Sequence, residues 1–156
     1  MKREPPPPIL DSARVVAYAF VDDIQYRRSG RLLVDGVLLE HVPRLAICFN
    51  LGQNLGAMLL HCDSDWNVLG MSGTASIEDT KAKAEENYPG VASRWVALNT
   101  SVEAALDYYD SMMGSLRCSF CGSRPFEFER GYVAGNAAVI CGECIETYYR
   151  EIYKVP

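Results

Sequence analysis

Two Cys-x-x-Cys pairs near the C-terminal end constrain the fold of this chain more than any other feature. They are Cys118 with Cys121 and Cys141 with Cys144, and nineteen residues separate the pairs. Two intervening residues let one tight turn aim both sulfurs of a pair at a single ion, and Gly122 and Gly142 tolerate the backbone angles of such turns. Four thiolates complete the tetrahedral shell that Zn²⁺ prefers and leave no open position for water. The sequence therefore predicts one structural Zn²⁺ per chain.

Two other uses of four cysteines are possible, a pair of disulfides or an iron–sulfur centre. The N-terminal residues contain no apolar signal-peptide core, so we expect a cytoplasmic location, where structural disulfides are rare. A segment of about forty residues also buries too little surface to fold unaided. A structural zinc contributes roughly 10–16 kcal/mol of apparent binding energy to folding in such segments. Zinc is therefore the predicted metal.

The residues around these cysteines resemble a known family. The matching stretches are Leu116–Gly122, Val133–Gly135 and Val139–Ile145. Together they resemble the C4-type zinc-binding domain of ClpX, the unfoldase subunit of a bacterial protease. The resemblance covers residues 116–152, about a quarter of the chain.

This resemblance implies a small treble-clef-like zinc finger that dimerises and recognises protein substrates and adaptors. It implies a hairpin followed by a short helix, with partner-binding residues on both. Those residues are Phe126, Phe128, Tyr132, Val133, Val139, Tyr148 and Tyr149. The sequence departs from the family in two respects: the finger follows another domain, and no Gly-x-x-x-x-Gly-Lys-Ser/Thr phosphate loop is present. We therefore expect no ATP-driven unfolding by this chain.

The residues before the finger resemble no family that we recognise, and their pattern indicates an α+β domain. Residues 1–12, with four consecutive prolines, are predicted to form a solvated tail. Residues 13–113 are predicted to form an antiparallel sheet with two helices, and 114–156 the zinc-binding domain. The predicted strands are 15–21, 24–28, 31–34, 37–40, 45–49, 58–62, 66–69 and 93–98. Ser76 is predicted to cap the first helix, and Thr100 with Glu103 to form the capping box of the second.

Composition narrows the class of function. The net charge is −5 and the sequence pI about 5.0, and residues 114–156 have no excess of basic side chains, so nucleic-acid binding is unlikely. No run approaches the roughly 18 apolar residues of a membrane span. Cys48, Cys62 and His61 form no recognisable nucleophile and base pair. We therefore predict a non-enzymatic protein-binding module that forms a homodimer, possible roles being an adaptor or regulator of protein degradation. The alternatives are a nucleic-acid-binding regulator and a small enzyme in the α+β domain.

Overall fold

The computed structural model describes residues 3–27, 33–34, 36–38, 40–52, 55–114 and 116–154. The chain divides into two compact units, residues 1–109 (unit 1) and 110–156 (unit 2). Within the described residues, none of the helices combines the length and the apolar character that crossing a bilayer requires.

Unit 1 is built mainly from strands. They are β1 (Ile9–Leu10), β2 (Ala13–Phe20), β3 (Leu33–Val34), β4 (Val37–Leu38), β5 (Arg44–Asn50), β6 (Ala57–Cys62), β7 (Val68–Thr74) and β8 (Val96–Ala97). The main sheet is antiparallel in the order β1-β2-β5-β6-β7, and β8 pairs with β2. β3 and β4 form a separate hairpin. Three predicted strands are wrong in part. Residues 24–27 form no strand, the strand predicted at 66–69 begins only at Val68 and continues to Thr74, and a 3₁₀ turn at Val91–Arg94 leaves only β8 of the strand predicted at 93–98. Positions 28, 31, 32 and 39 of the predicted strands lie outside the described residues.

The two central strands, β5 and β6, are buried along most of their length and supply the core of unit 1. Leu45, Ile47 and Leu59 are fully buried. A register shift in β2 between Val15 and Ala17 changes which face each later side chain occupies. As a result, Tyr18 and Phe20 pack on the same cluster as Val15, whereas Ala19 packs on the opposite face.

Helices α1 (Ile77–Asn87) and α2 (Val102–Met113) follow the sheet. Ser76 caps α1 as predicted, since its side chain accepts a hydrogen bond from the Asp79 N–H at 3.1 Å. The predicted cap of α2 is wrong by one residue. Ser101 accepts from the Ala104 N–H, whereas the Thr100 carbonyl accepts a hydrogen bond from the Arg14 side chain.

The N-terminal segment also differs from its prediction as a solvated tail. Leu10 is buried in the core, and β1 pairs with the start of β2. The Pro8 carbonyl accepts a hydrogen bond from the Val15 N–H at 2.9 Å, and the Glu4 carbonyl accepts one from the Trp66 indole at 3.1 Å. Proline lacks a donor but keeps its carbonyl acceptor, so a proline-rich segment can still be held by N–H groups of a neighbouring element.

Unit 2 contains the cysteine pairs. After the first pair come a 3₁₀ turn (Pro125–Glu127), a hairpin of β9 (Tyr132–Ala134) with β10 (Val139–Cys141), and α3 (Gly142–Tyr153). The structure as a whole is thus α+β, with an antiparallel sheet in unit 1 and a four-cysteine cluster in unit 2.

Candidate metal centre

The first cysteine pair lies in a tight turn. The Gly122 N–H donates to the Cys118 carbonyl at 2.9 Å, and the Cys118 N–H donates to the Ser123 carbonyl at 2.9 Å. Gly122 has a φ of +78°, which a residue with a side chain rarely adopts. The turn therefore requires glycine at this position, and it places the Cys118 and Cys121 sulfurs on one side.

The second pair lies where β10 passes into α3. Cys141 ends β10, and Cys144 lies in the first turn of the helix. The Gly142 N–H donates to the Gly131 carbonyl at 2.9 Å. A Cβ atom on Gly142 would lie 2.5 Å from the Arg130 Cβ and 2.8 Å from the Arg130 carbonyl oxygen. Only glycine allows this close approach, so Gly142 fixes the helix start, and with it Cys144, against the loop before β9.

The four sulfurs converge. All lie within 4.8 Å of one another, and the pairs Cys118–Cys144 and Cys121–Cys141 are each 3.7 Å apart. A tetrahedral centre with bonds of about 2.3 Å to sulfur has S–S edges of about 3.8 Å, so this arrangement fits a single four-thiolate ion. All six cysteines of the chain are unbridged. The four cysteines predicted from their spacing are therefore brought together and could hold one metal ion.

Backbone and hydroxyl dipoles favour the anionic form of the first pair. Burial by itself would raise the pKa of Cys118, but N–H groups of Cys121, Cys141 and Phe120 directed at its sulfur lower it to about 6. The Ser123 hydroxyl lowers the pKa of Cys121. Burial raises the pKa of Cys141 and of Cys144. Cys118 thus offers a thiolate near neutral pH, and a bound cation would supply the charge that stabilises the thiolates of Cys141 and Cys144.

A carboxylate holds both sides of the first cysteine turn. Asp110 accepts two hydrogen bonds from Arg124, each 2.9 Å, and pairs with Arg117 as well. The hydrogen bond from Arg124, with the charges of both arginines, lowers the pKa of Asp110. The Glu127 side chain accepts from the Arg124 N–H at 2.6 Å. Arg117 and Arg124 flank Cys118 and Cys121, so this network orients the turn that carries the first two ligands. The spacing of the cysteines does not predict these contacts of Asp110 and Glu127 with the arginines.

The residues predicted to bind partners are spread over the hairpin, the 3₁₀ turn and the helix. Tyr132, Val133, Tyr148 and Tyr149 are exposed, whereas Phe126, Phe128 and Val139 are half-buried. Phe128 and Tyr132 are in ring contact, with centroids 5.6 Å apart. The structure adds one residue that was not predicted to bind partners: exposed Phe120, from the first cysteine turn, contacts Tyr148, with ring centroids 5.2 Å apart. Tyr153 contacts Tyr149 in the same way, at 4.8 Å. We call Phe120, Tyr148, Tyr149, Ile152 and Tyr153 the aromatic surface of unit 2.

The other sequence candidates lie in the core of unit 1. Cys48 and Cys62 are fully buried, and burial raises the pKa of both thiols, that of Cys62 to about 12. His61 is buried on the opposite face of β6, and burial lowers its pKa to about 4. These groups are neutral at physiological pH and packed among apolar side chains, as expected of core residues.

Comparisons with protein-family models, with curated proteins and with solved structures find no significant match for this chain.

Proposed function

We propose that Cys118, Cys121, Cys141 and Cys144 bind one structural Zn²⁺ and that unit 2 is a treble-clef-like zinc finger. The order of its parts supports this: a cysteine turn, a hairpin, and a helix whose first turn carries the last ligand. Zinc suits four convergent thiolates, and four protein ligands leave no position for substrate or water. Zinc would therefore stabilise unit 2 and would not take part in a reaction.

The function that the geometry favours is protein recognition without catalysis. The aromatic surface carries this proposal, because a module with hardly any apolar interior exposes several aromatic side chains on one helix and the adjoining turn. Phe120 is 56% exposed and Tyr149 54% exposed. Contiguous exposed apolar groups usually mark a binding surface, and tyrosine is enriched at the centre of interfaces. The resemblance to the ClpX zinc-binding domain points to the same use.

In the specific form of this proposal, the protein is a cytoplasmic adaptor or regulator of protein degradation that forms a homodimer through unit 2. Twofold pairing is the commonest closed assembly of identical chains. It would bury the aromatic side chains of α3 against their copies. Nucleic-acid binding is the less favoured function, since the net charge of −5 offers no general attraction to a phosphate backbone.

Sedimentation of the full, zinc-loaded chain tests the dimer. We expect a dimer at micromolar concentration and a monomer for the double variant Tyr149→Ser/Ile152→Ser. Leu55→Ser is the matched control, because the exposure of Leu55, 61%, lies between those of Tyr149 (54%) and Ile152 (71%), but Leu55 belongs to unit 1. If the unaltered chain is monomeric, or if Leu55→Ser dissociates it, unit 2 is not the dimer interface.

Site-specific photo-crosslinking tests recognition itself. A photoreactive phenylalanine replaces Tyr149 in one sample and Leu55 in another, and adducts formed in cells are identified by mass spectrometry. We expect adducts from position 149 to include defined proteins other than this chain, and adducts from position 55 to lack them. Self-adducts alone would reduce the role of unit 2 to dimerisation, and nucleic-acid adducts would favour the alternative function.

A further inference from the structure

The buried cation of Arg44 lies on one face of the unit 1 sheet, the face to which the register shift in β2 brings Phe20. Arg44, the first residue of β5, is only 7% exposed. Its guanidinium carbon lies 5.0 Å from the centre of the Trp66 ring and 5.6 Å from that of Phe20. Phe20 reaches this face because the shift between Val15 and Ala17 turns it there. Two aromatic faces therefore hold the guanidinium in place.

Arg44 forms no salt bridge within 4.0 Å in the part of the chain that the structure describes, although its positive charge acts on nearby Asp63. Its guanidinium lies against the rings of Trp66 and Phe20. The oxygens of nearby Asp63 accept instead from the Asp65 N–H and from both nitrogens of Asn67. The only buried side-chain polar atoms without a hydrogen-bond partner among the described residues are Ser72 Oγ and Trp95 Nε1, so the Arg44 nitrogens are open to a cavity beside them. The five N–H donors of Arg44 form a planar fork, and no described residue accepts a hydrogen bond from it.

Arg44 lines a cavity of about 470 Å³. Trp66, Pro5 and Pro7 contribute apolar walls, and Glu4 and Asp65 contribute carboxylates. The cavity therefore combines one cation, two acidic side chains and flat apolar surfaces, and its volume is ample for a molecule the size of an amino acid.

Trp66, which forms one apolar wall of the cavity, has a strained backbone conformation. Trp66 has a φ of +66°, and the turn there is closed by hydrogen bonds from Trp66 N–H to the Asp63 carbonyl and from Asp63 N–H to the Asn67 carbonyl. A residue with a side chain is strained in this left-handed conformation, and glycine would avoid the strain. The indole is nevertheless fixed, by its hydrogen bond to the Glu4 carbonyl and an edge contact with Tyr18.

We propose that this cavity binds a small zwitterion with an apolar side chain, that is, a free α-amino acid. The carboxylate would accept two hydrogen bonds from the Arg44 fork, the geometry in which arginine binds carboxylates best. The ammonium group would face Glu4 and Asp65, and the apolar side chain would pack on Trp66 and the proline rings. The two acidic side chains oppose a phosphate dianion at the same place. This site belongs to unit 1 and does not depend on the metal centre.

NMR titration of the full, zinc-loaded chain tests the proposal, because the chain has only two tryptophans and hence two indole N–H signals. The Trp95→Phe variant identifies the Trp66 signal. The probes are L-leucine, L-methionine and L-phenylalanine, with 3-phenylpropanoate, phenethylamine and inorganic phosphate for comparison. We expect at least one amino acid to shift the Trp66 signal saturably. It should bind at least about tenfold tighter than phenylpropanoate, phenethylamine or phosphate, a difference of about 1.4 kcal/mol.

Three variants assign the contacts. Arg44→Met should abolish saturable binding. Asp65→Asn, which leaves the turn hydrogen bonds of Asp63 intact, should weaken binding of the amino acid about tenfold, while binding of phenylpropanoate does not weaken. Arg3→Met is the control: Arg3 also lies over Phe20, at 5.5 Å, but it is exposed and pairs with Asp22, so binding should not change.

The proposal is overturned if no amino acid gives a saturable shift at millimolar concentration. It is also overturned if folded Asp65→Asn binds the amino acid unchanged, or if phosphate binds more tightly.

Discussion

The two units of this chain differ in which residues lie at their centres. Unit 1 buries a set of large aliphatic side chains completely, among them Leu45, Ile47 and Leu59. In the described part of unit 2, the only buried hydrophobic residues are Cys118 and Cys141, which are candidate metal ligands. Apolar contacts between strands hold unit 1 together. The centre of unit 2 contains four cysteine sulfurs in place of large apolar side chains.

This difference shows how a short segment can fold while its apolar side chains remain outside. A metal centre supplies a strong, local interaction that does not require those side chains to be buried. Tyr149 and Ile152 can then stay exposed on α3 without loss of the fold. The described residues of unit 1 contain no such metal-binding cluster, and its aliphatic residues face inward. The following predictions test this contrast, from the largest expected effect to the smallest.

The largest effect should follow the loss of a metal ligand. Cys141→Ser, or removal of zinc by a chelator, should unfold unit 2 and leave unit 1 folded, because metal binding in small fingers supplies roughly 10–16 kcal/mol. Both tryptophans belong to unit 1, so their indole NMR signals report that unit alone. Cys48→Ala, a cysteine change in unit 1, should leave one zinc per chain. Retention of stoichiometric zinc and of a protected α3 in Cys141→Ser would contradict the assignment.

The converse change is a cavity in the core of unit 1. Leu59→Ala should lower the free energy of unfolding of unit 1 by about 2–5 kcal/mol, the usual cost of removing a fully buried leucine side chain. Urea unfolding followed by tryptophan fluorescence measures this, and zinc content should stay at one per chain. Leu55→Ala, at an exposed position, should have little effect. Equal losses from the two substitutions would show that unit 1 does not depend on this core.

A third difference between the units is the pH dependence of unit 1. Burial lowers the pKa of His61 from 6.5 to about 4, so between these values the unfolded chain binds a proton that the folded chain does not. Stability due to neutral His61 is therefore complete above pH 6.5 and is lost as the pH falls toward 4, by roughly 3 kcal/mol in total. Tryptophan-detected urea unfolding at several pH values should show this slope in the unaltered chain. It should show the same slope in His41→Gln and a smaller one in His61→Gln.

The smallest effect concerns the start of α3. Helix propensity alone would make Gly142→Ala stabilising by about 1 kcal/mol. The contact of the new Cβ with the Arg130 backbone should reverse this and cost about 1–3 kcal/mol. Because folding and metal binding of unit 2 are coupled, we expect weaker zinc affinity in competition with a chelator. Gly135→Ala, with its nearest contact at 3.8 Å, is the matched control in the hairpin. A tighter zinc site in Gly142→Ala would mean that propensity outweighs the contact.

The features that sequence predicted well depend on neighbours along the chain. The cysteine spacing identified the four convergent thiols, and Ser76 was identified as the cap of α1 from residues within one helical turn. Alternation and apolar runs placed every end of β5 and β6 to within one residue. Each of these signals is local, and a local pattern needs no knowledge of the remaining fold.

The features that sequence missed depend on contacts across long separations. The proline segment was predicted to be solvated because nothing in it shows that the indole of Trp66, sixty-two residues away, donates to Glu4. The cap of α2 was assigned to Thr100, whose carbonyl is instead a partner of Arg14. The register shift in β2, which turns Phe20 toward Arg44, has no proline or glycine to mark it. The aromatic surface was predicted without Phe120, since only the folded turn brings that residue to Tyr148.

The left-handed backbone at Trp66 has a consequence for how this chain would change over evolutionary time. The turn alone favours glycine or asparagine at position 66, so mutation without selection should replace the tryptophan readily. A lineage that stops using the cavity should therefore lose its aromatic wall early and gain a more relaxed hairpin. Across natural variants, tryptophan at 66 should accompany arginine at 44, and the two should disappear together.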